Sequence, residues 1–279
     1  MNVIKVLNAQ LAEDGAGVKI RRVPGFDGRY LDPFLMLDEL KSDHSDDYMA
    51  GFPAHPHRGI ETFTYLIKGG FEHRDHLGNR KAVRAGDVQW MSTGKGVIHS
   101  EMPLADSEGL HGFQIWLNMD AKDKMNVPQY QDSAQSGLPQ ISSQGVHLKA
   151  LAGAWTLNAE QVQSPLSNLA CNGAIADINI DSKAQLEMPA MGCERVLAYI
   201  HTGSITAAGQ RYQAGQLLVL DGDSAIIATT DQPSGLLLLR GEPLHQPIAH
   251  MGPFVMNTQA QLQDAIRDYQ NGQFGQLSQ

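Results

Sequence analysis

Along most of this chain apolar and polar positions alternate with the two-residue period of β-strands, and the runs are broken by glycine-bearing turns. Residues 1–20 alternate weakly and predict short strands, and residues 31–40 (LDPFLMLDEL) form a compact apolar segment expected to lie against a barrel. Thr62 to Ile67 is a β-branched and aromatic run suited to a central strand. Phe71 to His76 and Arg80 to Arg84 flank a Gly78-Asn79 turn and predict a hairpin, and Phe113 to Asn118 predicts a further strand. Residues 119–145 are polar and proline-bearing and read as a linker. Beyond it, Ala174 to Ile180 alternates cleanly and Leu236 to Leu239 reads as a buried strand. Only the last stretch changes period. Thr258-x-x-Gln261 has the form of a capping box, Leu262, Ala265, Ile266 and Tyr269 recur at helical spacing, and Gly272 marks the end.

An internal echo divides the chain. Tyr65-Leu66-Ile67-Lys68-Gly69-Gly70 corresponds to Tyr199-Ile200-His201-Thr202-Gly203-Ser204, and Arg84-Ala85-Gly86-Asp87-Val88 to Gln213-Ala214-Gly215-Gln216-Leu217. A repeated β unit predicts an all-β fold of two stacked barrels, residues 1–140 and 141–279, the second closing with a docking helix.

Composition narrows the class. The chain has 279 residues, 42% of them apolar, and 28 glycines, which suits turns between many strands. Its 21 basic and 30 acidic residues give a net charge of −9 with no basic cluster, which argues against direct nucleic-acid binding. No apolar run approaches the ~20 residues that cross a bilayer, and the first residues lack the apolar core of a signal peptide. Cys171 and Cys193 make no disulfide framework and are expected to be buried thiols. A soluble cytoplasmic protein is the expectation, acting as a monomer.

The chemistry concentrates between His55 and Glu101. His55-x-His57 places two imidazoles on one face of a strand, and His99-x-Glu101 does the same with an imidazole and a carboxylate. Facing each other across a barrel, the two pairs offer three nitrogens and one oxygen to a metal ion. That donor set suits Fe(II), Mn(II), Ni(II), Cu(II) or Zn(II), and an octahedral ion would keep two positions for substrate oxygen and O₂. Glu61 either orients an imidazole or pairs with Arg58. His44 reads as solvated, His111 as packed at the barrel wall, and His73 and His76 as surface residues beside charges. The segment Pro189 to Glu194, which stands as the second barrel's counterpart of the His-x-His stretch, has no histidine.

The stretch resembles a cupin and, more narrowly, the pirin family. The similar segments are Leu31-Asp32-Pro33-Phe34, His55-Pro56-His57-Arg58-Gly59-Ile60-Glu61-Thr62, Gln89-Trp90-Met91, His99-Ser100-Glu101-Met102-Pro103, Gly241-Glu242-Pro243-Leu244 and Gly252-Pro253-Phe254-Val255-Met256-Asn257-Thr258. The resemblance implies a bicupin with one Fe(II) in the N-terminal barrel, held by His55, His57, His99 and Glu101, and a C-terminal barrel without metal. It further implies either cleavage of a flavonol such as quercetin with O₂ uptake and release of carbon monoxide, with Glu101 taking the 3-hydroxyl proton, or a non-catalytic role as a metal-dependent regulator with a protein partner. An acidic insertion at Ser45-Asp46-Asp47-Tyr48, just before the first pair, departs from the family pattern.

Overall fold

The computed structural model describes residues 1–133 and 137–277. Its first half supplies β1 (Val3–Asn8), β2 (Gln10–Asp14), β3 (Val18–Pro24), β4 (Phe34–Ser42), β5 (Phe52–His57), β6 (Ile60–Lys68), β7 (Gly70–Asp75), β8 (Arg80–Arg84), β9 (Val88–Ser92), β10 (Val97–Pro103), β11 (Leu110–Asn118) and β12 (Gln129–Asp132). Next come β13 (Gln140–Ser143), β14 (Val146–Ala152), β15 (Ala154–Leu157), β16 (Glu160–Gln163), β17 (Ala174–Ile180), β18 (Gln185–Met188) and β19 (Arg195–Thr202). The chain closes with β20 (Ser204–Ala207), β21 (Gln210–Gln213), β22 (Gln216–Leu220), β23 (Ile226–Thr229), β24 (Ser234–Gly241), β25 (Ala249–Met251), β26 (Phe254–Met256) and one helix, α1 (Gln259–Gln270).

These strands make two barrels of the same plan. One has a seven-stranded sheet in the order β12-β9-β6-β11-β4-β3-β2 and a four-stranded sheet β5-β10-β7-β8. The other repeats it strand for strand as β1-β22-β19-β24-β17-β14-β13 and β18-β23-β20-β21. The echo in the sequence is therefore a repeat of topology. The apolar segment at 31–40, expected against a barrel, is instead mostly β4, an internal strand of the first seven-stranded sheet.

The chain ends are exchanged relative to a single cut near 140. One unit comprises Met1–Gln10, Tyr30–Pro33 and Ser136–Pro243, and the other Leu11–Arg29, Phe34–Gln135 and Leu244–Gln279. The hydrogen bonding is the reason: β1 pairs with β22 and takes the edge place that β12 holds in the other barrel. The stretch 119–145 is structured on both sides of residues 134–136, which lie outside the described residues. β12 pairs with β9, and β13 with β14. Lys124 is fully buried there, its Nζ donating to the Gly59 carbonyl and Asn118 Oδ1 at 2.6 Å and to the Val255 carbonyl at 3.0 Å. Polarity marks the stretch as a linker, but among its described residues Lys124 and Ser133 are buried with their polar groups satisfied inside the fold.

Two features fix the end of β5. Gly59 turns the chain into β6 at φ +79°, and a Cβ there would sit 2.1 Å from the Val255 carbonyl oxygen, so only glycine fits. Arg58 donates from Nη1 to Asp268 of α1 at 2.8 Å and from Nε to the Lys95 carbonyl at 2.6 Å, with its guanidinium 4.5 Å from the Phe274 ring centre. The helix forms as the pattern predicts: Thr258 and Gln261 complete the capping box, and Leu262 and Ala265 are buried. Tyr269 stays partly exposed but meets Phe274 edge to face and Phe254 at a tilt. Replacing Asp268 by Ala strands the buried Arg58 charge, and is expected to lower unfolding stability by about 3 kcal/mol. Urea unfolding checks this; a loss below ~1 kcal/mol would show that Lys95 and Phe274 hold Arg58 without the carboxylate.

Candidate metal centre

His55 and His57 lie on β5, and His99 lies on β10. These strands are antiparallel neighbours, with His99 directly opposite His55. The two pairs thus stand side by side on the four-stranded sheet, rather than across the barrel as the sequence suggested. Cross-strand adjacency brings the rings together: centroids are 4.8 Å apart for His55 and His57, 4.3 Å for His55 and His99, and 4.9 Å for His57 and His99. One ligand atom from each lies within 4.8 Å of the others.

Their nitrogens are poorly occupied by the protein. His55 Nδ1 lies 2.8 Å from the Pro53 carbonyl, which leaves Nε2 as the free lone pair once Nδ1 carries the proton. His57 hydrogen-bonds the backbone at Pro253, and its Nδ1 is buried without a partner. His99 is 1% exposed, and neither of its ring nitrogens has a partner. Unsatisfied buried nitrogens are costly, about 1–3 kcal/mol each, and a cation coordinated by three neutral imidazoles would satisfy them. The donor set therefore fits a divalent ion.

Burial drives the His57 imidazolium well below its ordinary range, and the charge of His55 adds to the effect. His99 is pushed the same way by burial, and then by His55, His57 and His73. Both rings are thus held neutral, the form that binds metal. In the metal-free protein their folded pKa lies below the ~6.5 of the unfolded chain. Their contribution to stability is full above that pH and is lost as the pH falls, because only the unfolded chain takes up the protons. The expected slope is about 1.4 kcal/mol per pH unit for each ring, measured by urea unfolding of chelator-treated protein from about pH 7.5 to about pH 5. A His99→Gln variant should halve it.

Glu101 follows on β10, after a register shift next to His99. Its carboxylate accepts three hydrogen bonds from neutral donors: Thr64 Oγ1 at 3.1 Å and Gln89 Nε2 at 3.3 Å on Oε1, and Gln114 Nε2 at 3.0 Å on Oε2. It groups with His99 and His73 rather than with His55 and His57, so His99 is shared by two triads. Glu61 is buried on β6 and belongs to neither group among the described residues. Arg58, its proposed salt partner, pairs with Asp268.

His73 is a correction. Its charged neighbours suggested the surface, yet it is 0% exposed, and its ring stacks on Tyr130 at 5.0 Å. Both nitrogens are engaged, Nε2 with Asp75 at 3.2 Å and Nδ1 with Gln89 Nε2 at 3.2 Å. Strand alternation explains it: Arg74 and Glu72 point outward while His73 and Asp75 point in. Burial raises the Asp75 carboxyl, but hydrogen bonds from His73 and Asn79 outweigh this and leave it below the usual carboxylate range. His76 is half-buried, with Nδ1 accepting from the Ile98 amide at 3.2 Å. His44 is exposed, and His111 is buried 3.0 Å from Glu39, both as expected. Cys171 and Cys193 are half-buried and form no disulfide.

His55, His57 and Glu101 open onto a cleft of about 570 Å³, together with Gln114, Trp116, Phe26, Met36, Phe52, Asp38 and Arg22. The edge of Trp116 meets His57 at 5.1 Å, and Phe26 stacks on His250 at 4.1 Å. A cleft with aromatic side chains in its wall therefore leads to His55 and His57. Gln114, Thr64 and the Arg22–Asp38 pair do not stand out in the sequence, because β4, β6 and most of β11 are buried on both faces and no alternation marks the inward polar positions.

The second barrel handles the same positions differently. β18 and β23 take the places of β5 and β10, and their register sets Leu186 opposite Ala228 and Met188 opposite Ile226, all in the apolar core. The counterpart of the His-x-His stretch is thus β18, a few residues before Pro189 to Glu194.

Two barrels of one strand order, one of them lined by converging imidazoles, make this chain a bicupin, and among the described residues the candidate metal-binding groups lie in that one barrel. It belongs to the pirin family: the Pirin family model matches residues 17–117, and the model of the Pirin C-terminal cupin domain matches residues 175–275. A Vibrio cholerae protein provisionally named quercetin 2,3-dioxygenase is 41% identical over 267 residues, covering 95% of each chain. A Pseudomonas aeruginosa protein with the same provisional name is 36% identical over 276 residues, covering 97% of each. In structure the chain is similar to a quercetin 2,3-dioxygenase from Acinetobacter baumannii, with a TM-score of 0.85, 27% identity and 98% of each chain covered. No helix among the described residues is long and apolar enough to cross a membrane.

Proposed function

We propose that this protein is a metal-dependent dioxygenase that cleaves flavonols such as quercetin with O₂. One Fe(II) per chain is held by His55, His57, His99 and Glu101, and the second barrel holds none. The observation that carries the reading is the cluster of three converging imidazoles, with His57 Nδ1 and both His99 nitrogens unpartnered, beside a cleft with aromatic walls. When bound, the ion supplies a Lewis acid that stabilises the ionised 3-hydroxyl and a centre for electron exchange with O₂. The residues do the rest. Glu101 faces the cleft and takes the 3-hydroxyl proton. Thr64, Gln89 and Gln114 hold its carboxylate in place with neutral donors, and the longest of these contacts, from Gln89 at 3.3 Å, gives way when Glu101 takes up the proton. Trp116 and Phe26 orient the flat rings and keep water away. The relatives' provisional name and the Acinetobacter baumannii structure support the substrate class.

The test follows quercetin absorbance and dissolved O₂ together in iron-loaded protein, chelated protein and free iron, after elemental analysis of the loaded chain. One ion per chain and turnover well above free iron are expected. One tightly held ion with turnover no faster than free iron would favour the non-catalytic, partner-binding role instead.

A further inference from the structure

The cleft has a second polar end. Asp38 on β4 and Arg22 on β3 are register partners, and Arg22 donates from Nε and Nη2 to the two Asp38 oxygens at 2.8 and 2.6 Å while also reaching Asp14. Arg22, Asp38 and Asp14 all line the cleft that Glu101 and the imidazoles open onto. Asp38 is almost wholly buried, and burial pushes its carboxyl up to about 6 against the pull of the guanidinium. Arg22 fills one lone pair on each Asp38 oxygen and leaves the others open to a further donor.

Its place in the sheet relates it to the metal end. Arg22, Asp38, Gln114, Thr64 and Gln89 are successive register partners across β3, β4, β11, β6 and β9, so their side chains share the face turned to the barrel interior. Three of the five, Gln114, Thr64 and Gln89, hold Glu101. Strands lie about 4.8 Å apart, which places Asp38 one spacing and Arg22 two spacings from Gln114, roughly 5 and 10 Å. Met36, Phe26 and Trp116 supply the apolar walls of the same cleft.

We propose that the Arg22–Asp38 pair is a specificity-determining second pole of the cleft, which receives a ring hydroxyl of an aromatic substrate whose acidic hydroxyl sits at Glu101. This deepens, and rests on, the flavonol reading above. Asp38 accepts the distal hydroxyl on lone pairs that Arg22 leaves open, and Arg22 keeps the carboxylate oriented. The ligand class is a planar, polyhydroxylated aromatic with a hydroxyl on a ring other than the one carrying the acidic enol. A pair that merely braced β3 against β4 would not distinguish between such ligands.

The experiment compares 3-hydroxyflavone, which lacks distal hydroxyls, with quercetin. Binding to iron-loaded protein is measured without O₂ by quenching of tryptophan fluorescence. Quercetin is expected to bind the Asp38→Ala protein about 10- to 100-fold more weakly than wild type, while 3-hydroxyflavone stays within about twofold. Asp38→Asn, an isostere that keeps one acceptor, should fall between them and carries the test if the alanine variant does not fold. Equal weakening of both ligands, or of neither, in a variant that keeps its iron would overturn the second pole while leaving the flavonol reading intact. Failure of both ligands to bind wild type would overturn the two together.

Discussion

A His99→Ala protein is expected to purify without stoichiometric metal, and His57→Ala likewise. His99 is the centre of the cluster: it stands opposite His55 across the β5–β10 pair, belongs to both triads, and has no hydrogen-bond partner on either nitrogen. Losing an orienting partner of a ligand already costs 10- to 100-fold in metal affinity, so losing the ligand itself should cost more than ~100-fold. The same orphaned nitrogens predict an opposite effect on the metal-free fold. Removing them relieves a desolvation penalty of about 1–3 kcal/mol each, so His99→Leu in chelator should unfold no more easily than chelated wild type. His111→Gln is the control, because that ring serves Glu39 on β4 and lies in neither triad. Elemental analysis and urea unfolding, with and without chelator, read both effects. Full metal occupancy in the His99 variant would move the centre elsewhere.

Glu101→Gln is expected to weaken iron binding and, compared at equal iron occupancy, to slow flavonol turnover by roughly 10²–10⁴-fold, the usual worth of a positioned base. The substitution keeps the shape but removes the proton acceptor. It also sets an amide N–H₂ against donors: with Thr64 and Gln89 on one oxygen and Gln114 on the other, at least one of the three contacts becomes donor to donor. Glu61→Gln is the comparison. A straight strand would carry the Cα of Glu61 about 13 Å from that of His57, and the Gly59 corner sends it onto β6, whose partners are β11 and β9. Its removal should leave iron and turnover nearly unchanged. Loss of metal in the Glu61 variant alone would show the carboxylate assignment to be wrong.

What could be read from the sequence was local. The i, i+2 spacing of His55 and His57 needs only strand geometry, and the helix from Gln259 announces itself through Thr258 and Gln261. Long-range pairing was not legible. Nothing local says that β5 and β10 are neighbours, that β1 completes the second barrel, or that β18 rather than Pro189 to Glu194 occupies the ligand position there. The charges beside His73 point to the surface, whereas its alternation with Glu72 and Arg74 turns its ring inward. The row from Arg22 to Gln89 was invisible for the same reason as the pairing: five residues on five strands become one feature only when the register is known. Lys124 shows the converse, a charged residue in a polar stretch that the fold buries against three oxygens.

The central claim is oxygenative ring cleavage at the imidazole centre, and the most direct measurement is its stoichiometry. Iron-loaded protein is given quercetin in a sealed cell, and quercetin lost, O₂ consumed and carbon monoxide released are counted together. The account predicts equal amounts of all three, abolished by chelation and by His99→Ala. Quercetin loss without carbon monoxide, or at the rate of free iron, would contradict it.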